Sequence, residues 1–191
     1  MMKKINSSHK QSGFTLIEMV LVILAIGIIG SIATNMLSQG ANIYKETVYR
    51  QSFIGKVRSA FWRLSREGGL QRNSEDFNLS GPKDLFSTNA KTESVHFILS
   101  GVNALDYTAI SGTTYPLSTQ LKTSESLFRY YDESFTEIPL SVNETLSSSQ
   151  AETVRLIQLD MTFKSDDDSV RFSSYIYPNN FRFGKKMSYH D

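Results

Sequence analysis

The feature that most constrains this chain is an uninterrupted apolar stretch near its start. The stretch runs from Phe14 to Leu37, 24 residues that would extend about 36 Å as an α-helix, enough to cross a lipid bilayer. No lysine or arginine lies between Lys10 and Lys45, whereas three lysines precede the stretch. Because basic residues stay on the cytoplasmic side, this asymmetry predicts a cytoplasmic start and a remainder on the outer side of the membrane.

One acidic residue, Glu18, lies inside this stretch and bears on how it is interpreted. A secretory signal cleaved after Ser38-Gln39-Gly40, before Ala41, would use the stretch as its apolar region, and a simple anchor would keep it whole. Neither interpretation accounts for a carboxylate in an apolar helix, which costs on the order of 2.5–3.5 kcal/mol on insertion scales. Glu18 is therefore expected to have a partner.

The residues around Glu18 provide a third interpretation. The run Gly13-Phe14-Thr15-Leu16-Ile17-Glu18 closely resembles the processing signature of type IV pilins and pseudopilins. The resemblance implies that a prepilin peptidase cleaves between Gly13 and Phe14 and methylates Phe14. Removal of 13 of the 191 residues leaves a mature chain of 178 residues. The resemblance also implies that Glu18 pairs with the Phe14 amine of a neighbouring subunit, and two buried charges that are costly alone become tolerable when paired.

A helical pattern continues beyond the membrane-length stretch. Four apolar residues recur at spacings of three and four: Ile54, Val57, Phe61 and Leu64. Gly68-Gly69 is a typical helix stop. The sequence therefore predicts one helix from Phe14 to about residue 67, apolar on most faces in its first half and amphipathic in its second half.

The resemblance implies an α+β, pilin-like architecture in three segments. Residues 1–13 are expected to form a cleaved leader peptide, residues 14–40 a transmembrane and filament-core helix, and residues 41–191 a periplasmic globular domain. The apolar half of the helix is expected to protrude and to pack among other subunits. The amphipathic half, to about residue 67, is expected to pack on an antiparallel β-sheet of its own chain.

Alternating polar and apolar residues predict the strands of this sheet. The clearest signal is a hairpin in which Val154–Phe163 and Val170–Tyr177 flank an acidic turn at Lys164–Ser169. Four further strands are predicted at Ser94–Leu99, Leu105–Ile110, Thr114–Leu121 and Leu127–Tyr131. The segment Gln71–Ala90 is predicted to form a connecting loop, with one turn of helix near Lys83–Phe86.

Composition and motifs exclude most kinds of catalytic site. The chain has no cysteine and only three histidines, which rules out disulfides, thiolate metal sites and cysteine nucleophiles. It has no phosphate-binding loop, nucleophile elbow or His-Glu-x-x-His motif. His96 is expected to be structural rather than catalytic, and the acids Asp166–Asp168 to be solvated rather than to bind calcium. We therefore expect a protein that is not an enzyme and needs no cofactor or metal.

Tyrosines and basic residues provide two further candidate surfaces. Tyrosines on predicted strands could stack on sugars, although packing within the sheet is the commoner role: Tyr130, Tyr131, Tyr175 and Tyr177. Basic residues on the second half of the helix could contact DNA: Arg50, Lys56, Arg58, Arg63 and Arg66. Because the mature chain would carry 17 basic and 19 acidic side chains, we expect a solvated helix face and not a nucleic-acid site.

The later half of the chain most resembles one group of minor pilins, those of mannose-sensitive haemagglutinin pili together with pseudopilin J of type II secretion. Three segments carry this resemblance: Leu127–Glu133, Val154–Phe163 and Val170–Asn180. The group often ends in Pro-Arg-Asn, where this chain has Pro178-Asn179-Asn180, and the chain lacks the C-terminal disulfide loop of many major pilins. Both the resemblance and the missing disulfide predict a minor subunit that acts in initiation or at the tip of a pilus.

The resemblance also implies the partners and the location. We expect a prepilin peptidase, other pilin subunits and the inner-membrane assembly machinery as partners. The precursor is expected in the inner membrane with one span, and the mature chain in a pilus or pseudopilus. Two alternatives stay open: a pseudopilin of a type II secretion system, and an exported or anchored binding or enzymatic domain with an ordinary signal.

Overall fold

The computed structural model describes residues 13–101, 103–165 and 168–183. These residues form two compact units, of which the first ends at Tyr49 and the second begins at Arg50. One helix, α1 (Leu16–Gly69), contributes to both units. Its bounds confirm the predicted helix and its stop at Gly68-Gly69, with a start two residues later than predicted.

The first unit consists of the first part of α1, and each of its described side chains is exposed. This part of the helix is apolar and long enough to cross a membrane by length and composition. Two of its hydroxyl groups bond within the helix: the Thr34 hydroxyl donates to the Gly30 carbonyl and the Thr47 hydroxyl to the Ile43 carbonyl, both at 2.8 Å. The unit therefore presents a mostly apolar surface up to Leu37 and a more polar one beyond it.

The second unit combines the rest of α1 with two antiparallel sheets. The first sheet has the order β1-β2-β3-β4, with strands at Asp84–Thr88, Ser94–Ser100, Ala104–Thr108 and Thr114–Ser118. The second has the order β5-β6-β7, with strands at Leu127–Tyr131, Leu156–Ser165 and Asp168–Ile176. A short helix, α2 (Ser148–Thr153), and 3-10 turns at Glu75–Phe77, Thr123–Glu125 and Asn179–Phe183 complete the unit.

The predicted hairpin and the four earlier strands are confirmed, although β3 and β4 end earlier than predicted. Two details were wrong. The strands form two sheets and not one, because β5 pairs with β6 and not with β4. The segment Lys83–Phe86 is not a turn of helix, because β1 begins at Asp84 within it, and Leu85 of this strand is fully buried and pairs with Phe97.

The second part of α1 packs against the sheets through the stripe that the sequence predicts. Its buried residues are Phe53, Val57, Ala60, Phe61, Leu64 and Gly68, whereas Ile54 is only half-buried. The Phe61 ring stacks on Phe172 of β7 at 5.3 Å between centroids. At the end of the helix, a Cβ on Gly68 would lie 3.5 Å from Ile176 Cδ1, so the small residue allows a close approach. This confirms the expected contact between the amphipathic half of the helix and a sheet.

A half-buried lysine and a buried tyrosine connect the two sheets. The Lys83 ammonium donates to the carbonyls of Thr123 and Ser126, which precede β5. Burial lowers the pKa of Lys83. The hydroxyl of Tyr130, which is 0% exposed, donates to the carbonyls of Gly81 and Asp84 at 3.1 Å. The connection between sheets is thus made by hydrogen bonds to backbone groups, which hold the position of β1 against β5.

Candidate assembly site

The predicted processing site lies just before the first turn of α1. Gly13, Phe14 and Thr15 have no regular secondary structure, and the helix begins at Leu16. Phe14 is 75% exposed, and a Cβ added at Gly13 would meet no atom within 4 Å. The peptide bond between Gly13 and Phe14 is therefore accessible to a protease. Residues 1–12 of the predicted leader lie outside the described residues.

Glu18 caps the helix in which it lies. The backbone N–H and the hydroxyl of Thr15 both donate to Glu18 Oε2 at 2.9 Å, and the Glu18 N–H donates to Thr15 Oγ1 at 3.4 Å. These reciprocal bonds form a capping box, in which an N-terminal threonine and a glutamate three residues later satisfy each other's backbone donors. The capping box places the carboxylate at the positive end of the helix dipole.

This local partner was missed by the sequence reasoning, which took Glu18 as an acid in need of a distant partner. The signal was present in the Thr15-Leu16-Ile17-Glu18 spacing, which is that of a capping box. Both donors on Thr15 are neutral, however, and no cation pairs with Glu18 among the described residues. Among the described residues, the Thr15 bonds thus cap the helix but leave the charge of an ionised Glu18 without a counter-charge.

The comparison with known families matches this region of the chain. The prokaryotic N-terminal methylation motif matches residues 8–34, which include Gly13, Phe14 and Glu18. The motif supports a type IV pilin or pseudopilin-like protein. It implies processing by a prepilin peptidase and, in general, pilin subunits as assembly partners. No curated protein and no solved structure is significantly similar to the chain.

The other candidate residues of the second unit have structural surroundings. His96 Nε2 lies 3.0 Å from Asp84 Oδ1, and its ring stacks on Phe86 at 3.8 Å between centroids. Within the part of the chain that the structure describes, no cluster of three metal-ligating side chains occurs. Asp168 belongs to β7 and lies 3.7 Å from Arg50, whereas Asp166 and Asp167 lie outside the described residues.

The tyrosines divide between core and surface. Tyr130 is fully buried, so it cannot stack on a sugar. Tyr131 and Tyr175 form an edge-to-face pair at 6.0 Å on the second sheet, and the Tyr131 hydroxyl donates to Gln158 Oε1 at 2.7 Å. Tyr177 makes a similar edge contact with Phe181 at 6.3 Å. These contacts fit the expected packing role.

Proposed function

We propose that this pilin-like chain is a filament subunit that acts by assembly and not by catalysis. A prepilin peptidase cleaves the precursor between Gly13 and Phe14 and methylates the new N-terminal amine. The mature subunit then enters a filament through the exposed apolar part of α1. The observation that carries the proposal is the coincidence of the methylation motif over residues 8–34 with an apolar helix whose described side chains are exposed up to Gln51.

Two forces act in this assembly. Packing among neighbouring helices keeps the apolar side chains of α1 out of water once the subunit leaves the bilayer, and exposure to water would cost about 25 cal/mol per Å². The methylated amine of Phe14 supplies a cation for Glu18 of a neighbouring subunit, and this pair selects the axial register because a mismatch leaves two unpaired charges in an apolar environment. The Thr15 bonds occupy Glu18 Oε2 with neutral donors and supply no counter-charge, which supports a role for a cation from a neighbouring subunit.

The proposed location follows the charge pattern of the N-terminus. The precursor spans the inner membrane once, with its lysine-rich start in the cytoplasm and the second unit in the periplasm. The inner-membrane assembly machinery then moves the subunit into the filament. The absence of cysteine from the sequence and the resemblance of the later strands to minor pilins support a minor subunit at initiation or at the tip.

Processing is tested by the intact mass and the N-terminal sequence of the protein isolated from its native membrane. We expect a chain of 178 residues that begins at Phe14 and carries one added methyl group. A chain that begins near Ala41, or at Met1, contradicts the proposal and favours an exported or anchored domain. Recovery in sheared surface filaments, as opposed to retention in the envelope, separates a pilus subunit from a subunit of a secretion pseudopilus.

The role of the Glu18 charge is tested by two matched substitutions. Glu18→Gln preserves the capping box, since glutamine also serves at this position, but removes the charge; Glu18→Ala removes both. We expect normal cleavage and a strong loss of filament incorporation for both variants. If Glu18→Gln is incorporated normally while Glu18→Ala is not, the residue acts as a helix cap and not as a charge partner.

A further inference from the structure

A rigid loop after β5 displays an aromatic side chain. In this acidic loop, defined as Asp132–Glu137, Phe135 is 75% exposed and has a φ of 58°, a left-handed conformation that is rare for a bulky residue. Asp132 Oδ1 accepts the N–H groups of Ser134 at 2.8 Å and Thr136 at 2.9 Å. These bonds fix the backbone on both sides of the projecting ring, while Glu137 lies 3.6 Å from Arg129 Nε of its own chain. The loop therefore presents an apolar knob, and Glu133 is the acid beside it that lacks an ion-pair partner among the described residues.

A groove lined by small and basic residues lies along the second part of α1. It has a volume of about 570 Å³ and lies between the helix and Leu117 of β4. Its floor is formed by small residues, among them Gly55, and Lys56 and Arg63 lie at its rim. The groove is open to the surface, and its small side chains leave room for an aromatic side chain to lie against the helix. A Cβ on Gly55 would meet no atom within 4 Å, which shows that the space above the helix is open.

The charges of the knob and the groove are opposite. The helix has no acidic residue from residue 47 to residue 66, whereas the acidic loop carries three acids within six residues. Lys56 and Glu133 are both exposed, and neither has an ion-pair partner among the described residues. Arg63 is held over the Tyr107 ring, 4.0 Å from its centroid, and so its cation is fixed beside the groove. The exposed Phe135 ring does not fill the groove of its own chain.

We propose that the acidic loop of one copy of this chain docks into the α1 groove of a second copy, with Phe135 in the groove and Glu133 beside Lys56. The inference rests on the proposed filament role, because a filament subunit meets its neighbours by repeated contacts. The two surfaces differ, so the contact is heterologous, and in a minor subunit it joins a short run of adjacent copies. At least two copies then lie next to each other in the filament.

Cross-linking tests this contact in the full chain, whose lack of cysteine gives a clean background. The test pair is Ser52→Cys, in the groove, with Ser134→Cys, beside Phe135; both residues are exposed, and both changes keep the knob and the groove intact. The control pair joins Ser52→Cys to Ser173→Cys, an exposed residue of β7. After mild oxidation of intact cells, we expect disulfide-linked multimers for the test pair and none for the control pair or for either single cysteine.

Two further variants examine the knob and the groove separately in the test-pair background. Phe135→Gly removes the ring and suits the positive φ, so the loop keeps its shape. Gly55→Phe fills the groove, and its Cβ finds open space. We expect each variant to reduce cross-linking about tenfold, the loss of roughly one interfacial hot spot. Lys56→Glu should likewise reduce cross-linking, and its combination with Glu133→Lys should restore it.

The amount of the chain in filaments sheared from the cell surface separates the proposed docking contact from the proposed filament role. Multimers of the test pair in filaments support the docking contact. Incorporation without multimers, or with equal multimers for the control pair, overturns the contact and leaves the filament role intact. Multimers in the membrane alone, without incorporation, support the contact but contradict the filament role. Absence of both multimers and incorporation overturns both.

Discussion

Leu64 provides the most direct test of the packing between α1 and the sheets. Its side chain is 0% exposed and belongs to the buried stripe of the helix. Leu64→Ala removes three side-chain carbons from a site enclosed on one side by the helix and on the other by strands. The cavity left by the substitution cannot collapse unless a whole sheet moves towards the helix. We therefore expect a loss of about 3 to 4 kcal/mol in the free energy of unfolding, in the upper part of the range for Leu→Ala substitutions in protein cores.

The loss is measurable by urea unfolding of the full chain in detergent micelles. Near-ultraviolet circular dichroism follows the packing of buried aromatic rings, among them Tyr130. With an m-value of about 2 kcal/mol per M, the midpoint should fall by about 1.5 to 2 M. Arg58→Ala, an exposed position on the same helix, is the control and should change the free energy by less than about 0.5 kcal/mol. Equal midpoints for both variants would refute the assignment of this stripe to the core.

Two other substitutions address the second unit. Gly81→Ala should destabilise the fold by about 1 to 3 kcal/mol, because its Cβ would lie 2.5 Å from the Glu144 carbonyl oxygen. The control is Gly101→Ala, whose Cβ meets no atom within 4 Å. Equal melting temperatures for the two variants would contradict this expectation. Asp160 has a side chain that is only 3% exposed, and the hydrogen bonds from the Arg171 guanidinium, followed by those from Arg129, lower its pKa. A folded-state pKa below the unfolded value gives stability that is present above about pH 4 and is lost as the pH falls through the folded-state pKa. Asp160→Asn should cost about 1 to 3 kcal/mol at pH 7 and should weaken the acid-induced loss of stability; an unchanged profile of melting temperature against pH would show that this pair does not contribute.

The helical part of the fold could be predicted because its signals are local. The spacing of Val57, Phe61 and Leu64 depends only on helix geometry, and the β6–β7 hairpin joins residues that are close in sequence. The strand β1 could not be recognised, since its segment is mostly polar and becomes a strand only by pairing with β2. The split into two sheets also depends on a distant partner, as β5 pairs with β6 across a connection of 24 residues.

The candidate site was predictable in part for the same reason. Gly13, Phe14 and Glu18 lie in one short motif, and the family match over residues 8–34 includes them, while their individual roles stay predictions. The hydrogen bonds of Thr15 are equally local, since their capping-box spacing is visible in the sequence. The acidic loop and the α1 groove could not be foreseen, since a groove arises only when β4 is placed beside the helix.

The Thr15 hydrogen bonds have a consequence for the lifetime of the assembled state. Cleavage after Gly13 leaves Thr15 in the mature chain, so its backbone N–H and its hydroxyl remain available to Glu18. In the proposed pairing, the amine of a neighbour would add a charged donor, about twice as strong as a neutral one, to a carboxylate that already accepts two neutral donors on Oε2. A subunit that leaves the filament would keep the Thr15 bonds and lose only the charged one. The proposed pair would therefore be reversible without leaving Glu18 bare of hydrogen bonds.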